Sequence, residues 1–172
     1  MNIIFLFIAT FIITTILTPL CIKLIKKMGL LDDPALHKHP GIIHKKPIPR
    51  GGGIPLFLGI VIAGILFLPL TKTVITLFTA SFIALLIGII DDKYDISPYL
   101  RFFANILVAG IIVGNGISIP FITNPFGGIL YLNSIAVSFD FLGHHSIILS
   151  DVIAMIWIVW VMNMLNWSKG VD

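Results

Sequence analysis

Five long runs of apolar residues alternate with polar segments along the 172-residue chain. A helix needs roughly 20 apolar residues to cross the hydrocarbon core of a bilayer, with a range of about 17–25. The pattern therefore predicts an all-α polytopic membrane protein with about five transmembrane helices in a single integral membrane domain. The predicted spans are 3–22, 54–70, 74–90, 102–119 and 147–165.

The composition supports the same class. Hydrophobic residues make up 58% of the chain and charged residues 11%, whereas soluble domains carry about 25% charged residues. Lysines follow the first apolar run instead of preceding it, which favours a retained spanning helix over a cleaved signal peptide. We therefore expect the lipid bilayer as a partner and no nucleic acid.

The placement of basic residues predicts the orientation. If the chain changes sides at each span, ten of the eleven lysines and arginines fall in 23–53, 91–101 and 166–172, and only Lys72 lies on the other side. The positive-inside rule then makes these three segments cytoplasmic loops and places the N-terminus outside. The expected location is a plasma or inner membrane, crossed several times.

The segment 120–146 contains no lysine or arginine, as expected for an external segment. Prolines and glycines in it bound short stretches of β-prone residues. This arrangement predicts a short β-hairpin on the outer surface.

Two adjacent carboxylates, Asp91 and Asp92, stand where the third apolar run meets water. An Asp at mid-bilayer costs roughly 2.5–3.5 kcal/mol, and less near the interface. Their oxygens suit a hard cation such as Mg²⁺, which binds through one or two carboxylates plus substrate phosphates. One of them could equally act as a base, and the structural alternative is a solvated helix end.

Two further polar clusters fall on the predicted cytoplasmic side. The segment 47–53 interleaves prolines and glycines around Arg50, and such a basic loop suits contact with a phosphate. The alternative for the basic residues of this loop is an anchor to anionic lipids. Asn163 and Asn166 are three residues apart and therefore share a face at the cytoplasmic end of the fifth run.

Taken in order, these motifs resemble the polyprenyl-phosphate N-acetylhexosamine-1-phosphate transferases, a glycosyltransferase 4 family with WecA, TagO and MraY types. The matching motifs are His44-x-x-Pro47-x-Pro49-Arg50-x-Gly52-Gly53, Gly88-x-x-Asp91-Asp92, Ser97-Pro98-x-x-Arg101, and Asn163-x-x-Asn166 with Gly170-x-Asp172. The resemblance covers the whole chain and implies the N-terminal half of a protein with about ten or eleven spans.

The resemblance implies an enzyme that moves a sugar 1-phosphate from a UDP-N-acetylhexosamine to a polyprenyl phosphate and releases UMP. Asp91 and Asp92 would be the catalytic pair, and Asn163 would help to hold Mg²⁺, with Mn²⁺ as an alternative ion. The implied substrate-binding residues are His44, Arg50, Arg101, Asn166 and Asp172. A homodimer is left open.

The chain departs from the family pattern at Lys169, where an Asp is usual, and this leaves the nucleotide contact in question. His44 and Arg50 resemble the WecA and TagO types, which favours UDP-N-acetylglucosamine as the donor. The alternative enzyme is the phospho-N-acetylmuramoyl-pentapeptide transferase of peptidoglycan synthesis. Outside this class, the alternatives are a membrane transporter and an inactive fragment.

Overall fold

A computed structural model describes residues 3–32, 47–137 and 147–167, and most of this part is helical. The described helices are α1 (Ile3–Lys27), α2 (Gly53–Phe67), α3 (Lys72–Tyr94), α4 (Pro98–Gly114) and α5 (Leu149–Trp167). The described strands are β1 (Leu31–Asp32), β2 (Ile48–Pro49), β3 (Phe121–Thr123), β4 (Ile129–Tyr131), β5 (Ala136–Val137) and β6 (Ile147–Ile148). A 3₁₀ turn occupies Leu132–Ser134.

Two of the described helices, α1 and α3, are long and apolar enough to cross a membrane, with mean hydropathies of 2.5 and 2.4. The apolar stretches Gly53–Phe67, Pro98–Gly114 and Leu149–Met164 are shorter. The chain is thus a mostly helical, membrane-associated protein. The count of five spans and the orientation stay predictions.

The described residues group into two compact units, the first ending at Arg101 and the second beginning at Phe102. In the first unit α1 packs against α2. A Cβ atom at Gly59 would overlap the Thr14 hydroxyl, so the missing side chain lets the two helices approach closely. At the other end of the pair, the rings of Phe5 and Phe67 meet edge to face with centroids 5.3 Å apart.

Helix α1 ends in a Schellman motif. Gly29 has φ +71°, and its N–H donates to the Lys26 carbonyl at 3.2 Å. The Leu30 N–H donates to the Ile25 carbonyl at 3.2 Å. The side chains of Ile25 and Leu30 are both buried, at 2% and 1% exposed. The motif therefore turns the chain back against its own helix.

Two short strands, residues 31–32 and 48–49, come together beside this helix end. Strands β1 and β2 pair antiparallel with Leu31 opposite Pro49, and the Arg50 N–H donates to the Leu30 carbonyl at 2.9 Å. A buried apolar cluster lies beneath the pair. Its members are Cys21, Ile25, Leu30 and Ile54, with Leu17, Leu85 and Ile89 packed against them.

The helix boundaries differ from the predicted spans at the polar ends. The prediction ended the third run at residue 90 and assigned 91–101 to a loop, whereas α3 continues to Tyr94 and α4 begins at Pro98. The connection is therefore only the three residues 95–97. Charged residues extend a helix beyond the apolar core when its backbone hydrogen bonds continue, so an apolar run underestimates helix length.

In the second unit, short strand pairs connect α4 to α5. Strands β3 and β4 pair antiparallel with Ile122 opposite Leu130, and β5 pairs with β6. The Leu132 side chain is 2% exposed, and its N–H donates to the Pro120 carbonyl at 2.8 Å. That this segment is an external hairpin stays a prediction.

Candidate active site at the end of α3

The two adjacent aspartates lie in the last turn of α3, where they differ in burial. Asp91 is 7% exposed, whereas Asp92 is partly exposed. Successive residues on a helix point about 100° apart because one turn takes 3.6 residues. The two carboxylates therefore face different surroundings although they are neighbours in sequence.

Arg101 forms an ion pair with the buried aspartate. Its Nη2 atom donates to Asp91 Oδ1 at 2.6 Å and to the Ile96 carbonyl at 3.5 Å. The Arg101 Nε atom is buried and has no hydrogen-bond partner among the described residues. A short contact between two ionised groups is about twice as strong as a neutral hydrogen bond, so this pair connects the end of α3 to the start of α4.

The turn between the two helices places Arg101 for this contact. Asp95 caps α3 in the left-handed region with φ 47°, and its N–H donates to the Asp91 carbonyl at 2.8 Å. Ser97 then begins α4, because its Oγ accepts from the Leu100 N–H at 3.3 Å. Pro98 occupies the first helical position, which suits its missing N–H. Arg101 consequently lies one turn into α4, within reach of Asp91.

Arg50 lies at the same end of the first unit. It follows β2 and is partly exposed, and the glycines after it lead into α2. A Cβ at Gly53 would lie 3.3 Å from the Leu85 Cδ1 atom of α3. Leu85 lies less than two helical turns before Asp91. Arg50, just before α2, and the paired carboxylates of α3 thus lie at the same end of the α1–α2–α3 group.

Asn163 lies near the end of α5 in the second unit. Its Nδ2 atom donates to the Val159 carbonyl one turn earlier at 2.8 Å, so the amide oxygen is the atom directed away from the helix backbone. The same side chain lines an otherwise apolar groove of about 520 Å³ between α4 and α5, together with Phe102 and Trp160. The amide is therefore the polar group of an apolar surface.

The remaining predicted residues are described only in part or not at all. His44, Asp172 and Lys169 fall outside the described residues, and the position of Asn166 in α5 is described without its side chain. Within the described ranges, no group of three or more His, Cys, Asp or Glu that could hold a metal is present. Between two of the predicted site residues, Asp91 and Arg101, the structure establishes a direct contact.

Several features of this site were not predicted from the sequence. The ion pair was missed because Arg101 was placed in a loop, and the unequal burial of Asp91 and Asp92 was missed with it. A sequence signal existed in Ser97-Pro98, since Ser before Pro is typical of a helix start. A helix that begins at Ser97-Pro98 has Arg101 in its first turn and follows α3 after a very short connection.

A family comparison identifies residues 74–172 as a match to the model of glycosyl transferase family 4. The matched region contains α3 from its third residue onward and the whole of α4 and α5, and therefore Asp91, Asp92, Arg101 and Asn163. No solved structure is a significant match to the chain.

Curated relatives match over different lengths. A Bacillus subtilis protein named "Probable undecaprenyl-phosphate N-acetylglucosaminyl 1-phosphate transferase" is 32% identical over 96% of this chain and 42% of its own length. The undecaprenyl-phosphate alpha-N-acetylglucosaminyl 1-phosphate transferase of Pasteurella multocida is 33% identical over 53% of this chain and 24% of its own. The decaprenyl-phosphate N-acetylglucosaminephosphotransferase of Mycobacterium tuberculosis is 30% identical over 51% and 24%. The chain thus spans less than half the length of these relatives.

Proposed function

Because this chain belongs to glycosyl transferase family 4, we propose that the protein transfers N-acetylglucosamine 1-phosphate from UDP-N-acetylglucosamine to a polyprenyl phosphate. The observation that carries the proposal is the 32% identity to the B. subtilis transferase over 96% of this chain. The apolar helices support it, because a polyprenyl acceptor is dissolved in the bilayer that such helices occupy.

In the proposed reaction, a phosphate oxygen of the lipid attacks the β-phosphorus of the UDP-sugar. A new P–O bond joins the lipid phosphate to the sugar phosphate, and the bond between the β-phosphorus and the bridging oxygen breaks. UMP leaves with that oxygen, and the product is a lipid diphosphosugar. Both reactants are anions, so the protein must chiefly position them and neutralise developing charge.

The residues at the end of α3 and in the preceding loop supply groups for this task. Asp91 and Asp92 serve the reacting phosphates, and the guanidinium of Arg50 suits a phosphate because it is always charged and planar. Further substrate contacts in the proposal are His44, Arg101, Asn166 and Asp172.

The donor chemistry at Asn163 fits Mg²⁺, or Mn²⁺ in its place. Its amide nitrogen already donates within α5, which leaves an oxygen, the ligand atom that Mg²⁺ prefers. Mg²⁺ usually takes few protein ligands and completes its shell with waters and substrate phosphates. When bound, the ion would supply positive charge to the phosphates.

The test measures UMP release by the full-length protein in detergent with polyprenyl phosphate, Mg²⁺ and one UDP-sugar at a time. We expect release with UDP-N-acetylglucosamine, together with a lipid product heavier by one N-acetylglucosamine phosphate. Release only with a UDP-muramoyl-pentapeptide would contradict the proposed donor and restore the peptidoglycan alternative. A folded protein that releases no UMP with any donor would contradict the reaction class.

The other candidates lack comparable support. The three relatives compared above are named for N-acetylglucosamine transfer, so the pentapeptide transferase is not favoured. A transporter is likewise not favoured, because transporters usually bind their substrate near the bilayer midplane, whereas Asp91 and Asp92 lie in the last turn of α3.

A further inference from the structure

Strands β3 and β4 and the turn between them form a two-stranded β-ribbon, residues 121–131, with apolar side chains on both faces. Phe121 lies opposite Tyr131 on one face, with ring centroids 6.4 Å apart. Ile122 lies opposite Leu130 on the other face. All four side chains are between 42% and 56% exposed. A ribbon with one face in water alternates apolar and polar positions, and this ribbon does not.

The turn of the ribbon carries a large apolar side chain that is almost fully exposed. Phe126 is 98% exposed, and its N–H donates to Asn124 Oδ1 at 3.0 Å. The Gly127 N–H donates to the Asn124 carbonyl at 3.0 Å, and the Asn124 N–H donates to the Gly128 carbonyl at 3.1 Å. Pro125 has no N–H to pair. A turn that pairs these N–H groups internally is suited to an apolar medium, in which unpaired backbone groups are costly.

The base of the ribbon is fixed to the start of α5. The Ile119 N–H donates to the Ser150 carbonyl at 3.5 Å, and the Leu149 N–H donates to the Ile135 carbonyl at 3.0 Å. Helix α5 begins at Leu149, and its apolar run is predicted to cross the bilayer. The ribbon is therefore expected at a membrane surface, whichever side of the membrane that is.

The chemistry of the segment limits what could cover the ribbon. Residues 102–137 contain no Asp, Glu, Lys, Arg or His, so the ribbon offers no charged side chain to a protein surface or to anionic headgroups. A protein partner would cover one face, whereas lipid surrounds both faces and the turn. The outer edges of a two-stranded ribbon carry backbone groups without a strand partner, which exclude it from the hydrocarbon core. The ribbon thus fits the boundary between headgroups and acyl chains.

We infer that residues 121–131 form an uncharged interfacial anchor whose partner is the lipid bilayer. Phe126 inserts among the acyl chains just below the headgroups, and the rings of Phe121 and Tyr131 lie at headgroup level, where aromatic side chains are enriched. The anchor holds the connection between α4 and α5 at the membrane surface. It thereby fixes the first turn of α5, the helix that carries Asn163 near its other end.

The test measures the depth of a nitroxide on the full-length protein with every native cysteine replaced by alanine. The labelled positions are Phe126→Cys and, as the control, Asn133→Cys, an exposed polar position just beyond the ribbon. In phosphatidylcholine nanodiscs, power-saturation EPR compares collisions with oxygen, which partitions into lipid, and with a water-soluble nickel chelate. We expect the label at position 126 to lie about 5–10 Å into the boundary of headgroups and acyl chains, the depth of interfacial amphipathic segments. The label at position 133 should collide mainly with the nickel chelate.

Two results would overturn the anchor. A label at position 126 that meets the nickel chelate as often as the label at position 133 would place the turn in water. A label at position 126 that is shielded from both reagents would show that protein covers the turn, either a later segment of the full-length chain or a second copy.

A second measurement asks whether Phe126 holds the ribbon in the lipid. With the label at Ile122→Cys, adding Phe126→Asp should move the label toward water, because a charged side chain is costly among acyl chains. Adding Phe126→Leu should keep the depth. Thermal unfolding in detergent should be the same for both variants, since the Phe126 side chain is exposed. An unchanged depth with Phe126→Asp would contradict the insertion.

Lipid composition and activity separate this anchor from other attachments and from the proposed function. An uncharged anchor should reach the same depth in phosphatidylcholine and in a mixture with anionic phosphatidylglycerol, because surface charge attracts basic segments. Insertion only with the anionic lipid would contradict an uncharged anchor. No reading requires a UDP-sugar, so an inserted turn in a protein that releases no UMP would confirm the anchor and contradict the proposed function. A water-exposed turn in an active enzyme would do the reverse.

Discussion

Single residues decide where the chain reverses at the two helix ends of the first unit. Gly29 after α1 and Asp95 after α3 both have positive φ, at +71° and +47°. Glycine adopts this conformation without a Cβ penalty, whereas an Asp in it stores about 1 kcal/mol or more. Asp95 is the non-glycine residue with positive φ among the described residues, and it directly follows the helix turn that holds Asp91. Local strain thus coincides with the candidate site.

At the same scale, Asn163 offers a test of the proposed metal contact. We expect Asn163→Ala to raise the Mg²⁺ concentration for half-maximal UMP release by about tenfold or more, the loss seen when groups that support a bound metal are removed. Asn163→Asp, which keeps an oxygen at the same position, should stay closer to wild type. The measurement is a Mg²⁺ titration of UMP release, and an unchanged titration for Asn163→Ala would remove this residue from the metal site.

At the scale of elements, helix caps and close helix packing determine how the first unit is built. Thr71 caps α3 and Ser97 caps α4 in the same way, since each side-chain oxygen accepts the N–H three residues later at 3.3 Å. The α1–α2 contact depends on a residue without a side chain at position 59. The caps and the close packing determine how the helices are oriented, whereas the apolar runs determine only which segments are helical.

The matched caps give a prediction about site geometry. Ser97→Ala and Thr71→Ala should each lower stability by about 1 kcal/mol, the usual cost of removing an N-cap. Only Ser97→Ala should also lower kcat, because Ser97 begins the helix that carries Arg101. Thermal unfolding and UMP release measure the two effects, and an equal activity loss in both variants would separate Ser97 from the site.

The α1–α2 packing gives a prediction about stability. A Cβ at Gly59 would overlap Thr14 Oγ1 and lie 3.2 Å from the Thr14 Cα, so Gly59→Ala should cost about 1–3 kcal/mol as an overpacked contact. Adding Thr14→Ala should recover part of this loss. Gly110→Ala is the control, because in the described part of the chain no atom outside its own helix backbone and its chain neighbours lies within 4 Å of its Cβ position. Similar melting temperatures for the Gly59 and Gly110 variants would contradict the packing.

At the scale of the molecule, charge asymmetry should orient the protein in its membrane. Lys72 is the first residue of α3, directly after the short connection from α2, and Arg50 and Arg101 lie near the opposite ends of these helices. The positive-inside rule places the richer basic side in the cytoplasm. The proposed UDP-sugar and UMP would then exchange with the cytoplasm, while the lipid substrate stays in the bilayer.

This orientation can be measured by cysteine labelling. In a full-length background with every native cysteine, Cys21 included, replaced by alanine, Thr73→Cys should react with a membrane-impermeant maleimide in intact cells. Tyr99→Cys, at a side chain 81% exposed, should react only after permeabilisation. The reverse pattern would contradict the predicted topology, and labelling of both positions in intact cells would contradict a span between them.

The sequence by itself determined the class of protein and the family. The apolar runs predicted the helices because burial in a bilayer depends on local composition and length, and the resemblance to the transferase family is confirmed by the family match. The polar motifs also predicted the candidate site residues. These properties can be predicted from the sequence because each depends on residues that are close together along the chain.

Only the tertiary structure decided how those residues are used. The Asp91–Arg101 pair depends on a three-residue connection, a left-handed Asp95 and a Ser97 cap acting together. The pairing of β1 with β2, which brings Arg50 beside the end of α1, joins residues that are far apart in sequence. Apolar periodicity carries no information about either contact, because both arise from chain reversals and hydrogen bonds between separate elements. The unequal burial of two adjacent aspartates follows from that geometry.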